Sequence, residues 1–286
     1  MYRAYYQLTK PIDRKDIPID ELFISEDFKE AISRLEFMKK IGGFTVINGR
    51  PGVGKTTVIR HFVKSLNANF YKVAYAPLST VSALGFYQQL AHLLAGYTPH
   101  RKTQLFRVIQ ESIMEFAKNK NTIPVIIFDD AHLLDTQNFF ELQLLSNFQF
   151  DSLSPALFVL VAQPHLIDRL RKPIFEAFYQ RLRLHIPLRP FSLEQTRSFI
   201  SHTMANASSS IDLFTPKAVE LIFETSEGIC RKITRILEQA LIFGAANQLK
   251  RMDENVIYQV STELNMDEKN LLNYHYHDYH GNHKTE

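Results

Sequence analysis

The stretch that most constrains this chain is GRPGVGKT, residues 49–56. It fits the spacing G-x-x-x-x-G-K-[S/T], follows the apolar run GFTVING and leads into a helical pattern. Glycines at 49, 52 and 54 let the backbone curl, so that successive N–H groups converge on an anion at the start of a helix. Gly49, Pro51, Gly52, Val53 and Gly54 would wrap a nucleotide's phosphates, with Lys55, Thr56 and Thr57 opening the helix behind them. Lys55 would contact the β- and γ-phosphates, and the Thr56 hydroxyl would ligate Mg²⁺. ATP and Mg²⁺ are therefore the expected cofactors.

Beside that loop, VIIFDDAH at residues 125–132 acquires a meaning. Alone it is a buried strand with an acidic end. Next to a phosphate loop, Asp129 is placed to hold the metal's hydration shell and Asp130 to polarise an attacking water. Glutamate is the more usual residue for the second task. Aspartate is shorter by one C–C bond, about 1.5 Å, and a misplacement of about 1 Å can cost of order a hundredfold in rate. Three alternatives follow: Asp130 acts from a shifted backbone or through an extra water, hydrolysis is slow and serves as a switch, or ATP is bound and barely hydrolysed.

The hydrophobic pattern supplies the fold class. Apolar runs at 43–49, 70–76, 123–130, 155–164 and 182–188 read as five strands, alternating with helical patterns at 25–41, 81–96 and 104–119. In the first helix Phe28, Ile32, Leu35 and Phe37 follow helical spacing behind Ser25 as a cap. Strands apolar on both faces belong in a parallel α/β sheet. After Pro190 the pattern turns all-helical, with a capping box at Ser192 and Gln195 and a Thr215 cap before Pro216. The expected organisation is an irregular segment 1–24, an α/β nucleotide-binding domain 25–190, a helical lid 191–265 and a polar tail 266–286.

Composition removes other classes. The 286 residues are 45% hydrophobic and 22% charged, an ordinary globular balance. No apolar run approaches the roughly 18 residues of a membrane span, so no membrane partner is expected. MYRAYYQLTK lacks a signal-peptide core, and a cytoplasmic location is expected. The single cysteine, Cys230, excludes an internal disulfide and a cysteine-built zinc site. With a net charge of only +3, nucleic-acid binding would need local patches.

Further polar residues stand where a nucleotide site would use them. Gln163 ends the fourth strand and would lie beside the γ-phosphate. Arg181, Arg183 and Arg189 surround the fifth strand. An arginine given by a neighbouring subunit can stabilise charge developing in phosphoryl transfer. Arg181 is the first candidate and Arg183 the second. Arg231 opens a helix after Gly228 and would reach the nucleotide from the helical region.

In this order, GRPGVGKT, IIFDDAH, VLVAQP, the FYQRL arginine and GICRKI resemble the AAA+ ATPases. The closer likeness is to the ExeA-like ATPases of secretion and the TnsC/TniB-type ATPases that accompany transposases, over about residues 1–265. MYRAYYQLTKPI, the FIS-x-x-F-KEAISRLEF helix and SNFQFDSLSPALFVLVAQPHLIDRLR look like the mobile-element branch. The resemblance implies a P-loop domain with a helical lid, and ATP-dependent assembly of a homo-oligomer, ring or helical filament, on duplex DNA. It also implies contact with a DDE-type transposase. On its motifs Lys55 and Thr56 are Walker A, Asp129 and Asp130 Walker B, Gln163 sensor one, Arg181 the arginine finger and Arg231 sensor two. The family's usual Asp-Glu-Ala-Gln is replaced by Asp129, Asp130, Ala131 and His132, and Cys230 stands for the proline of Gly-x-Pro-Arg. Secretion-type relatives continue into a membrane helix and an envelope domain, which sets the expectation against that role here.

If DNA is encircled, its phosphates need basic and hydroxyl groups, and His100, Arg101 and Lys102 are the local candidates. The tail carries His275, His277, His280 and His283, where weak metal binding competes with a disordered polar segment. A secretion or envelope-assembly motor and a helicase loader are the alternatives to a transposition regulator.

Overall fold

A computed structural model describes residues 2–14, 16–77 and 82–264. The histidine-rich tail lies outside them. In chain order the elements are α1 (Tyr2–Tyr5), α2 (Glu26–Ile41), β1 (Gly43–Asn48), α3 (Lys55–Ser65), β2 (Tyr71–Ala76) and α4 (Ala83–Ala95). Then come α5 (Lys102–Lys118), β3 (Ile123–Phe128), α6 (Thr136–Leu145), β4 (Leu157–Ala162), α7 (His165–Leu170), α8 (Glu176–Tyr179) and β5 (Leu182–Pro187). The remainder is helical: α9 (Leu193–Asn206), α10 (Pro216–Ser226), α11 (Cys230–Ala246) and α12 (Glu254–Glu263).

The chain divides into two compact units, Glu26–Arg189 and Met1–Ser25 with Pro190–Glu286. The first holds a five-stranded parallel sheet in the order β2-β3-β4-β1-β5. Burial follows position in the sheet. Every residue of β4, at the centre, is buried, whereas β2 and β5 at the edges alternate with exposed positions. Aromatic rings fill the space under the helices. Phe44 stacks on Phe158, and Phe139 meets Phe175 and Phe178 edge-on.

Two local expectations need correction. In α2 the buried stripe is Phe28, Ala31, Leu35 and Met38, while Phe37 is 56% exposed. At about 100° per residue Phe37 points some 200° away from Leu35, so it cannot share that face. The helix α6 has no counterpart among the helical patterns read from the sequence. Its Phe139, Phe140, Leu142, Leu144 and Leu145 surround most of the axis and blur the period, although Asp135 caps it through the Asn138 N–H at 2.7 Å.

In the second unit, Ser192 and Gln195 close the capping box and Thr215 caps α10. The N-terminal segment contributes to this unit's core: Leu8 and Ile12 are buried with Ile200, Ile236 and Ile257, and the Tyr2 hydroxyl bonds Glu238 at 2.7 Å. The tight turn into α11 needs a glycine. Gly228 has φ +69, and a Cβ there would stand 2.0 Å from the Phe191 carbonyl oxygen.

Candidate active site

The sheet order alone gathers the phosphate loop, the acidic strand end and Gln163. β4 lies between β3 and β1, so the segments leaving the carboxyl ends of these three neighbours meet at one edge. Asn48 is in register with Ala162, and the Gly49 N–H donates to the Ala162 carbonyl at 3.2 Å. Gln163, the next residue, is half-buried beside the loop. Phe128 pairs with Leu160, which brings Asp129 to the same edge. Ligand sites in parallel α/β sheets form at carboxyl ends of this kind.

Gly54, at φ +102, turns the chain into α3, and a Cβ on it would meet only open space. The loop ends at a helix N-terminus, where the first N–H groups have no intrahelical partner. Lys55 opens α3 and folds its ammonium back over the loop, donating to the carbonyls of Gly49 at 2.8 Å and Arg50 at 3.0 Å. These neutral acceptors occupy the ammonium where anionic phosphate oxygens would bind it more strongly. Loop, lysine and helix end therefore fit a nucleotide's phosphates.

Asp129 is held from two sides. The Tyr75 hydroxyl donates to Oδ2 at 2.7 Å and the Asp130 N–H to Oδ1 at 3.0 Å. Each donor uses one lone pair and leaves the other, so an oriented carboxylate remains available to a cation's hydration shell. Burial, and then the bond to Asp129, push the Tyr75 phenol well above its ordinary range, so it stays a donor. Tyr75 is the residue that sequence reasoning missed. The available signal was that it is the penultimate residue of the strand beside the acidic one.

Asp130 sits in the left-handed region at φ 50 and ψ 37, starting the 3-10 turn Ala131–Leu133. Aspartate and asparagine adopt this conformation more readily than longer side chains. The backbone thus gives a local reason for aspartate at this position. The next polar residue, His132, is buried, with Nδ1 3.9 Å from Asp130 Oδ1 and its ring edge-on to His165.

The arginines separate by position. Arg181 and Arg183 stand at the start of β5, whose end, Pro187, pairs with Asn48 next to the phosphate loop. A strand of this length spans about 20 Å, so Arg181 lies at the opposite edge of the sheet from its own loop. It is ion-paired with Asp151. Arg183 donates to the Ile41 carbonyl at 3.1 Å and the Ser154 hydroxyl at 2.9 Å, which ties it to its own sheet. Arg189 lies near Asp27 at 3.6 Å. Arg231 is exposed in the first turn of α11, in the helical unit. His100, Arg101 and Lys102 of the basic loop are all exposed, and Lys102 also binds Glu141 at 2.5 Å and overlies the Tyr87 ring.

A family model described as "AAA domain" matches residues 39–170, which carry the loop, the acidic strand and Gln163. General secretion pathway protein A of Aeromonas hydrophila is 28% identical over 249 residues, covering 85% of this chain. The chain spans 44% of that relative's length. The Mu-like prophage FluMu DNA transposition protein B of Haemophilus influenzae is 26% identical over 226 residues, covering 78% of this chain and 72% of that protein. Among solved structures, the ORC2 protein of Aeropyrum pernix in its ADPNP–ADP complexes superposes with a TM-score of 0.64 at 17% identity, over 90% of this chain and 72% of that one. Residues 39–170 thus match an AAA domain, and the chain has the fold of P-loop ATPases of this kind.

Proposed function

We propose that this AAA+ ATPase is an ATP-dependent regulator of DNA transposition. It assembles as an oligomer on duplex DNA, recruits or activates a DDE transposase, and resets by hydrolysing ATP. The observation that supports the oligomeric switch is Arg181, a strand's length from its own phosphate loop, where it would serve hydrolysis only in a neighbour's site. The transposition reading is supported by the mobile-element motifs and by the Mu-like transposition protein among the relatives.

Within each site, Lys55 and the loop amides would bind the phosphates, and Thr56 and Asp129 would hold Mg²⁺. Mg²⁺ would neutralise charge between the β- and γ-phosphates. Asp130 would take the proton of the attacking water, Gln163 would orient that water or the γ-phosphate, and Arg231 would sense the nucleotide from the helical unit. His100 and Arg101 would contact DNA phosphates. Lys102 would contribute only after releasing Glu141.

The test is binding to nonspecific duplex DNA with Mg²⁺ and a nonhydrolysable ATP analogue, followed by electron microscopy. Ring or filament assemblies that require both analogue and DNA are expected. A protein left monomeric and unbound to DNA defeats the proposal. The second reading, a secretion ATPase, is favoured by the general secretion pathway relative. It requires a membrane partner. Among the described residues no helix is long and apolar enough to cross a membrane.

A further inference from the structure

His132 combines three features that core packing does not explain. Its side chain is 5% exposed, yet Nδ1 has no hydrogen-bond partner among the described residues. That nitrogen faces Asp130 Oδ1 at 3.9 Å, about 1 Å beyond hydrogen-bond length. Its backbone is tethered, since the Arg169 guanidinium donates to the carbonyls of His132 at 3.5 Å and Leu134 at 2.6 Å. A buried polar nitrogen without a partner costs stability, so its presence beside the acidic strand end calls for an explanation.

We propose that His132 is the positioning residue for Asp130. When nucleotide is bound, its Nδ1–H closes onto the Asp130 carboxylate and aims this short side chain at the attacking water.

The inference rests on the ATPase reading of the site and deepens it. The surroundings suit a neutral donor. Burial holds the imidazole below its ordinary pKa, with His165 and Lys55 acting in the same direction and Asp130 and Asp129 opposing them. A neutral ring carries one N–H and can donate it without bringing a full charge to the site. The left-handed Asp130 caps the short 3-10 turn that carries His132, which puts the carboxylate and the imidazole two residues apart on one tight turn.

The experiment compares wild type, His132→Ala, His132→Asn and His132→Gln as full chains. An asparagine amide places an N–H where Nδ1 lies, whereas glutamine carries its amide one bond further. His132→Ala should lower kcat by about ten- to a hundredfold, with affinity for Mg²⁺ and a fluorescent nonhydrolysable ATP analogue within about twofold of wild type. His132→Asn should recover most of kcat, and His132→Gln should not. In ¹⁵N-histidine-labelled wild type, the His132 Nδ1 resonance should shift when Mg²⁺ and the analogue are added. An unchanged kcat in His132→Ala, equal losses in the alanine and asparagine variants, or a static Nδ1 resonance overturns the proposal. If wild type neither binds nor hydrolyses ATP, the ATPase reading fails instead, and the two failures are distinguishable.

Discussion

At the residue scale, the site depends on how two adjacent aspartates are held. Asp129 is oriented by Tyr75, so Tyr75→Phe should raise the Mg²⁺ concentration needed for half-maximal hydrolysis by several-fold, with kcat at saturating metal nearly unchanged. A metal titration of steady-state turnover checks this. If Asp130 is the base, as proposed, Asp130→Asn should cut turnover by about a hundredfold or more while analogue binding persists. Asp130→Glu lengthens the reach but puts a longer side chain at φ 50, so turnover should fall and not rise. A faster glutamate variant would favour the alternative in which aspartate slows a switch. Asp129 was legible in the sequence because a phosphate loop and an apolar strand with an acidic end identify each other by chemistry. Tyr75 was not, since its bond to Asp129 comes from the pairing of β2 with β3 and joins residues 54 positions apart.

At the scale of elements, the α/β unit is tied together under the sheet by a buried carboxylate. Glu141 on α6 accepts from Tyr87 of α4 at 2.6 Å, Lys102 of α5 at 2.5 Å and Gln137 at 2.5 Å. Burial alone would raise its pKa, but the donors Lys102, Tyr87 and Gln137 outweigh it and the net shift is downward from 4.5. The folded-state pKa lies below the unfolded one, so the stabilisation is present above the unfolded value and is lost as pH falls through the folded one. Glu141→Gln should cost about 1–3 kcal/mol at neutral pH. The gap to wild type should begin to narrow as pH falls below the ordinary carboxylate range and close once pH is below the depressed folded value, as measured by urea unfolding across that range. In the helical unit, Gly228→Ala forces a Cβ against the Phe191 carbonyl in a left-handed turn. It should destabilise by about 1–3 kcal/mol in the same assay. The Ser192–Gln195 capping box, the Thr215 cap and the five strands could be read from local chemistry. The α6 helix could not, because its apolar residues serve several neighbours at once and leave no single face to detect.

At the scale of the whole molecule, the question is whether one chain completes its own site. Parallel strands put the phosphate loop and Arg181 at opposite edges of the sheet, and no side-chain rotation spans a strand's length. The sequence marked Arg181 as a candidate for a neighbour's site. Its distance from its own loop, and its pairing with Asp151, needed the topology. The most direct measurement is a mixing experiment on duplex DNA. On this account Arg181→Ala would keep its nucleotide site but fail to complete a neighbour's, and Asp130→Asn would bind nucleotide and assemble without hydrolysing it while still offering Arg181. Each alone should hydrolyse ATP at least about tenfold more slowly than wild type. The expected result is that an equal mixture recovers turnover well above the sum of the two. A mixture no more active than that sum, or an Arg181→Ala protein as active as wild type, would contradict a site completed between subunits.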